Sequence, residues 1–192
     1  MTTERKNPAW LEQAVFYEIY PQSYQDTNAD GIGDLQGIID RLSYIQELGC
    51  NAIWMNPCFV SPFYDAGYDI ADYKKVAPRY GTNADLKRLF EEVHKRGMHL
   101  ILDLVPGHTS IEHPWFKESL KPEHNVLSDR YIWTDSVWED PKGVANITGS
   151  VSGLSDRDGA CATNFYTIQP ALNYGFANPT KPWMQGVNDE GP

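Results

Sequence analysis

The sequence is short of cysteine, of positive charge and of long apolar runs, and each shortage excludes a class of protein. Its three cysteines, Cys50, Cys58 and Cys161, are scattered with no CxxC pair. Neither a disulfide framework nor a zinc knuckle can be built from such a set. Lysine and arginine number 16 against 26 acids, for a formal net charge of −10. A nucleic-acid binder is thereby excluded, because phosphate neutralisation needs a basic surface. No apolar run approaches the roughly 20 residues that a membrane helix needs. The polar start, Met1 to Pro8, has no hydrophobic leader core, so a cytoplasmic protein is expected unless a signal peptide has been removed. Repeats and low-complexity tracts are also missing. The triplet Asn146-Ile147-Thr148 is a glycosylation sequon, which matters only in a secreted eukaryotic protein.

What is present is apolar material enough for a sizeable core, with 41% hydrophobic and 12% aromatic residues in a chain of 192,. That length allows one large domain or two small ones. Ala14 to Tyr20 is β-branched and aromatic and stops at Pro21, which predicts a first strand. A helix is predicted from Asp34 to Leu48, with Leu35, Ile38, Ile39, Leu42, Ile45 and Leu48 on one face and Gly49 as its cap. Asn51–Met55 reads as a second strand, followed by a long loop over 56–81. A second helix over Asn83–Arg96 turns Leu86, Leu89, Phe90 and Val93 inward, and Met98–Leu104 is the third strand. Alternation of this kind means right-handed βαβ units on a parallel sheet. Beyond His108 the pattern breaks into a Pro-, Gly-, Asn-, Asp- and Trp-rich stretch with short apolar runs at 131–133 and 164–168.

Two stretches carry chemistry. Asp26, Asn28, Asp30 and Asp34 place side-chain oxygens at positions 1, 3, 5 and 9 of a loop whose sixth residue is Gly31. Ile32, at position 7, offers its carbonyl. This is the first part of an EF-hand-like calcium loop, although position 12 is Gly37 and a strand rather than a helix precedes it. The expected ion is Ca2+, with Mg2+ as the alternative. The second stretch is Asp103-Leu104-Val105-Pro106-Gly107-His108. An acid and a histidine at the carboxyl end of a parallel strand sit where substrates bind.

Taken in order, Ala14–Tyr24, the oxygen-rich loop, Gly67–Tyr73, Tyr80-Gly81-Thr82 and Asp103–His108 resemble the N-terminal part of the alpha-amylase superfamily of glycoside hydrolases. The likeness is to the oligo-1,6-glucosidase, trehalose synthase and sucrose hydrolase group, and Gln169–Asn173 resembles a short motif of its inserted domain. The resemblance implies a (β/α)8 barrel. Residues 1–108 are then its first three βα units, 109–178 an irregular, β-containing domain inserted after strand three, and 179–192 the start of the return to the barrel. It also implies that Tyr68 stacks on the sugar beside the scissile bond. His108 bonds that sugar's 6-hydroxyl, Asp103 helps order the pocket, and Asp65 contacts the terminal sugar in exo-acting members. Gly107 replaces a common Asn that binds a second calcium in many alpha-amylases. Ala171 replaces a usual acid.

Glycoside cleavage needs two carboxylates flanking the bond. The resemblance implies that the nucleophilic Asp with its neighbouring Arg, the acid Glu and a third Asp follow strands four, five and seven, so no catalytic residue is assigned within the 192 residues. The chain is expected to be the N-terminal part of a longer retaining enzyme acting on α-linked oligosaccharides or glucans, inactive alone. In isolation it would self-associate through open sheet edges. The alternatives are a non-catalytic amylase-like structural relative and a stand-alone calcium- or carbohydrate-binding module.

Overall fold

The computed structural model describes residues 7–139, 149–154 and 156–174. The sequon at 146–148 and the segment 179–192 lie outside them. The elements run β1 (Phe16–Ile19), α1 (Pro21–Tyr24), α2 (Leu35–Asp40), α3 (Leu42–Glu47), β2 (Ala52–Met55), β3 (Phe59–Val60), β4 (Asp72–Val76), α4 (Asn83–Lys95), β5 (His99–Leu102), α5 (Pro114–Ser119), β6 (Gly149–Val151) and β7 (Cys161–Thr163). They divide into two compact units. The first holds the chain up to Cys58 together with Lys75–Leu104, and the second holds Phe59–Lys74 and the residues from Val105 onward.

In the first unit β1, β2 and β5 form a parallel sheet in that order, with Ile19 opposite Met55 and Met55 opposite Leu102. The three expected strands therefore pair as expected. One sheet face buries Ile19, Ile53, Met55 and Leu100, and the other leaves Phe16, Trp54 and Ile101 exposed. The helix expected over 34–48 is two helices. At Arg41 the backbone leaves helical angles, and its N–H bonds back to Ile38 in a tight turn. Leu35, Ile38, Leu42 and Ile45 still share a buried face across the break, but Leu48 is 54% exposed. Leu48 is the C-cap of α3. Gly49 follows at φ 86, the left-handed conformation that ends a helix,. Close approach explains Gly37, where an added Cβ would lie 2.1 Å from the Gln25 carbonyl oxygen.

Helix α4 matches its expected span. Thr82 and Asp85 form a reciprocal capping box at its start,. Glu92 pairs with both Lys95 and Arg96 at 2.6 and 2.9 Å. Leu89 and Val93 are buried, while Leu86 and Phe90 lie at the margin of the core.

The second unit contains a core of Phe116, Tyr131 and Cys161, with Trp115, Trp133 and Leu172 packed against it. Arginines cover its aromatic margin: Arg157 lies 4.2 Å from the Trp133 ring centroid and Arg130 lies 4.4 Å from that of Trp115,. β6 and β7 are antiparallel, and Tyr131 and Trp133 bridge to Leu172 and Cys161. The loop expected over 56–81 is partly ordered as the β3–β4 pair. Its first half belongs with the later segment because Ser110 N–H donates to the Ile70 carbonyl at 2.9 Å. The apolar run 164–168 forms no strand, and Phe165 stands 70% exposed.

Candidate functional site

Three of the four expected sugar-binding residues, Asp65, Tyr68 and His108, belong to the second unit and form one hydrogen-bonded network. Asp103 belongs to the first unit, directly after β5, where its N–H donates to the Met55 carbonyl at 2.9 Å.

The network is built on a tight turn. Tyr68 N–H donates to the Asp65 carbonyl at 2.8 Å. Ala66 and Gly67 between them stand at φ 51 and 107. Two successive positive angles are what a type I′ turn requires, and Ala66 adopts one without glycine's freedom. Asp69 holds this turn from within. It is 0% exposed. Its Oδ1 accepts from Ser61 Oγ at 2.8 Å and Asp65 N–H at 3.2 Å, and its Oδ2 accepts from Tyr64 N–H at 3.0 Å. A buried carboxylate supplied with three donors is a structural anchor.

His108 is buried, and its Nε2 donates to the Tyr68 carbonyl at 3.1 Å. Burial holds the imidazole below its ordinary pKa, while the Tyr68 carbonyl and the charges of Asp65 and Asp69 oppose that shift. The ring is accordingly neutral at pH 7, suited to hydrogen bonding rather than to charge. Tyr73 Oη lies 2.7 Å from the His108 carbonyl and 2.9 Å from that of Val105, clamping the backbone beneath the ring. The Phe165 ring meets the His108 ring edge-on at 5.8 Å. Phe165 sits at φ 45, so its exposed aromatic face is held in a backbone conformation that costs energy,.

Gly107 has a local cause. Asn164 Nδ2 donates to its carbonyl at 2.9 Å and would lie 3.0 Å from an added Cβ. Ala171, which stands in place of the family's usual acid, bridges to His108 through its backbone.

In the first unit, the loop 26–34 curls around its own amides. Asp26 accepts from the N–H groups of Asn28, Ala29 and Gly31, Asn28 from that of Asp30, and Asp30 from that of Ile32. The Gly31 N–H is the main reason the Asp26 carboxyl lies below its ordinary pKa. Asp34 caps α2 through Gly37 N–H at 2.7 Å and takes the Thr27 hydroxyl at 2.7 Å. The donors are all oxygen, the chemistry a hard cation needs. Among the described residues no three His, Cys, Asp or Glu side chains converge as a metal cluster.

Sequence reasoning missed Asp69 as the turn's anchor, Phe165 as the partner of the His108 ring, and Gln169, whose Nε2 donates to Asp65 Oδ2 at 2.6 Å. Phe165 and Gln169 fall in a stretch without periodicity, and 104 residues separate Gln169 from its partner. The only signal available was Gln169's place in the short motif 169–173.

The parallel strand–helix–strand sheet of the first unit puts the chain in the α/β class, and the second unit adds a loop network of acid, tyrosine and histidine,. Comparison with known proteins makes this specific. The alpha-amylase catalytic-domain family matches residues 18–177, and the chain belongs to that family. An oligo-1,6-glucosidase of Heyndrickxia coagulans is 52% identical over 172 residues, covering 86% of this chain and 30% of that protein. That of Parageobacillus thermoglucosidasius is 52% identical over 124 residues, covering 65% and 22%. Among solved structures, isomaltulose synthase of Erwinia rhapontici superposes with a TM-score of 0.81 at 41% identity, covering 95% of this chain and 33% of that one. The trehalulose synthase of Pseudomonas mesoacidophila gives 0.78 at 39% identity, covering 88% and 31%. The chain thus spans a third or less of the length of these relatives. Among the described residues no helix is long and apolar enough to cross a membrane.

Proposed function

We propose that this chain is the N-terminal part of a retaining α-glucoside-active enzyme, a hydrolase or transglycosylase of short α-glucosides or α-glucans. In this reading residues 1–108 supply three βα units of a (β/α)8 barrel, and the part of the second unit from residue 109 onward belongs to a domain inserted after strand three. The observation that carries the proposal is the Asp65–Tyr68–His108 network, found in a chain about half identical to two oligo-1,6-glucosidases. Its chemistry supports sugar recognition. The Tyr68 ring offers an apolar face for a pyranose, while the Asp65 carboxyl and the Nδ1 of a neutral His108, whose N–H is taken by the Tyr68 carbonyl, offer acceptors for its hydroxyls,. Asp103 keeps the pocket-ordering role that the family likeness implies.

The acid and nucleophile are carried outside these 192 residues, so the chain alone turns over nothing. Hydrolysis and transglycosylation share a glycosyl-enzyme intermediate and differ only in the acceptor. The isolated chain self-associates through β1 and β5, the edge strands of its sheet,. Light scattering that finds a well-ordered monomer would refute this.

Asp26, Asn28, Asp30 and Asp34, with the Ile32 carbonyl, would hold a calcium ion, whose chemistry here is structural cross-linking of the loop to α2. Chelation then lowers the melting temperature of the full-length protein and calcium restores it, while Asp26→Ala abolishes the difference. A melting temperature indifferent to both treatments would remove the ion from the account.

The test of function is an assay of the full-length protein on maltose, isomaltose, sucrose, trehalose and starch, beside Tyr68→Ala and His108→Ala. Turnover of at least one α-glucoside is expected, with a loss of ten-fold or more in kcat/KM in each variant. A full-length protein that leaves all five substrates intact would instead be the non-catalytic relative.

A further inference from the structure

We infer that Gln169 is a positioning residue for the sugar-binding carboxylate, tying down Asp65 Oδ2 so that Oδ1 is presented to the terminal sugar in a fixed direction. The inference deepens the proposed function and rests on it. Gln169 is 0% exposed, and its backbone is fixed on both sides: its N–H donates to the Tyr166 carbonyl at 2.9 Å and its carbonyl accepts from Asn164 N–H at 3.0 Å. The next residue, Pro170, accepts from Thr109 N–H at 3.3 Å. With the backbone so held, Nε2 reaches Asp65 Oδ2 at 2.6 Å.

The orientation of the amide follows from chemistry. An ionised carboxylate only accepts, so the NH2 end must face Asp65 and the oxygen end must face away. Among the described residues that oxygen, Oε1, is buried with no hydrogen-bond partner. A buried orphan carbonyl is costly, and a side chain serving packing alone would be better apolar. The bond to Asp65 is the one evident return for that cost.

Asp65 is thereby held at three points. Asp69 accepts its N–H, Tyr68 N–H binds its carbonyl, and Gln169 takes one carboxylate oxygen. The remaining oxygen has its direction set before substrate arrives, which removes an ordering cost from binding. Such a fixed acceptor favours a chain-end sugar carrying a free hydroxyl at that point. Gln169 would therefore contribute to selecting terminal over internal residues without touching the sugar.

The experiment is a double-mutant cycle in the full-length enzyme: wild type, Gln169→Leu, Asp65→Ala and the double variant, with kcat and KM measured on maltose and melting temperature as the folding control. Each single variant is expected to lose roughly ten- to a hundred-fold in kcat/KM, the span set by one hydrogen bond to a charged group. The loss should fall mainly on KM, and the double variant should be no worse than Asp65→Ala alone. Gln169→Glu is the second arm and guards against an unfolded leucine variant. Two carboxylates at this distance repel unless they share a proton, so its KM should approach wild type near pH 5 and rise by pH 8. Multiplicative losses in the cycle, or a Gln169→Glu pH profile superimposable on wild type, would overturn the inference while leaving the proposed function standing. A wild type inactive on all α-glucosides overturns both.

Discussion

Asp69 offers the sharpest test of how the turn at residues 65–68 is held. Its buried carboxylate accepts three hydrogen bonds, from Ser61 Oγ, Tyr64 N–H and Asp65 N–H. Asp69→Ala removes all three and leaves two backbone donors facing an apolar methyl group. Hydrogen bonds to a charged group contribute about 1.5–3 kcal/mol each, but the loop can relax to rehydrate part of the loss. A net cost of about 4 kcal/mol is therefore expected. The cost is expected to fall on local opening of the turn. At about 1.4 kcal/mol per factor of ten, the open population rises by roughly 10³. Native-state hydrogen exchange reads this directly at the amides of Tyr64 and Asp65, and α4 in the first unit serves as the internal control. Asp69→Asn keeps the shape and spoils one acceptor, so its protection should fall by only about ten-fold. Protection of both amides within about three-fold of wild type in Asp69→Ala would show that the Asp69 carboxyl does not anchor the turn.

Three further expectations follow from the same contacts. His113 is buried, caps α5 by accepting Trp115 N–H on Nδ1, and has its pKa pushed down to about 4 by burial. A base with a lowered folded pKa contributes stability that is intact above its unfolded value near 6.5, and that stability is lost as pH falls from there toward about 4,. Up to about 3 kcal/mol is involved. Melting temperature should decline across that window in wild type and less in His113→Asn, which keeps a capping oxygen; parallel declines would refute it. Thr82→Ala breaks the capping box of α4 and should cost about 1 kcal/mol, read as a fall of about 2–4 °C in melting temperature. An unchanged transition would show that the box contributes nothing. Gly107→Ala should displace Asn164 from the Gly107 carbonyl and destabilise by about 1–2 kcal/mol, whereas the same change with Asn164→Ala in place should cost less.

The parallel sheet was legible because its strands are β-branched, end at Pro21 and Pro57, and alternate with helices of regular period. Helix α4 was legible to within a residue because Leu86, Leu89, Phe90 and Val93 recur at helical spacing, while its capping box at Thr82 and Asp85 emerged only with the structure. The break at Arg41 was not legible, since Leu35, Ile38, Leu42 and Ile45 keep one apolar face through the turn and periodicity cannot register it. Within the site, Asp65, Tyr68 and His108 stand out as residue types in motif order. Asp69 looks like one acid among several until its three donors converge on it, and neither composition nor spacing records burial. Gln169 and Phe165 lie about a hundred residues beyond the turn they serve. Their pairing depends on how the loops 59–74 and 164–169 fold back on each other, which local pattern does not encode.

If the enzyme to which we propose this chain belongs is retaining and acts on α-glucosides, the anomeric form of its first product reveals it. Full-length protein would be mixed with isomaltose or maltose and the released glucose followed by proton NMR before mutarotation. The glucose formed from the non-reducing residue is expected to appear as the α-anomer. Release of the β-anomer there, or no release from either substrate or from sucrose, would contradict it.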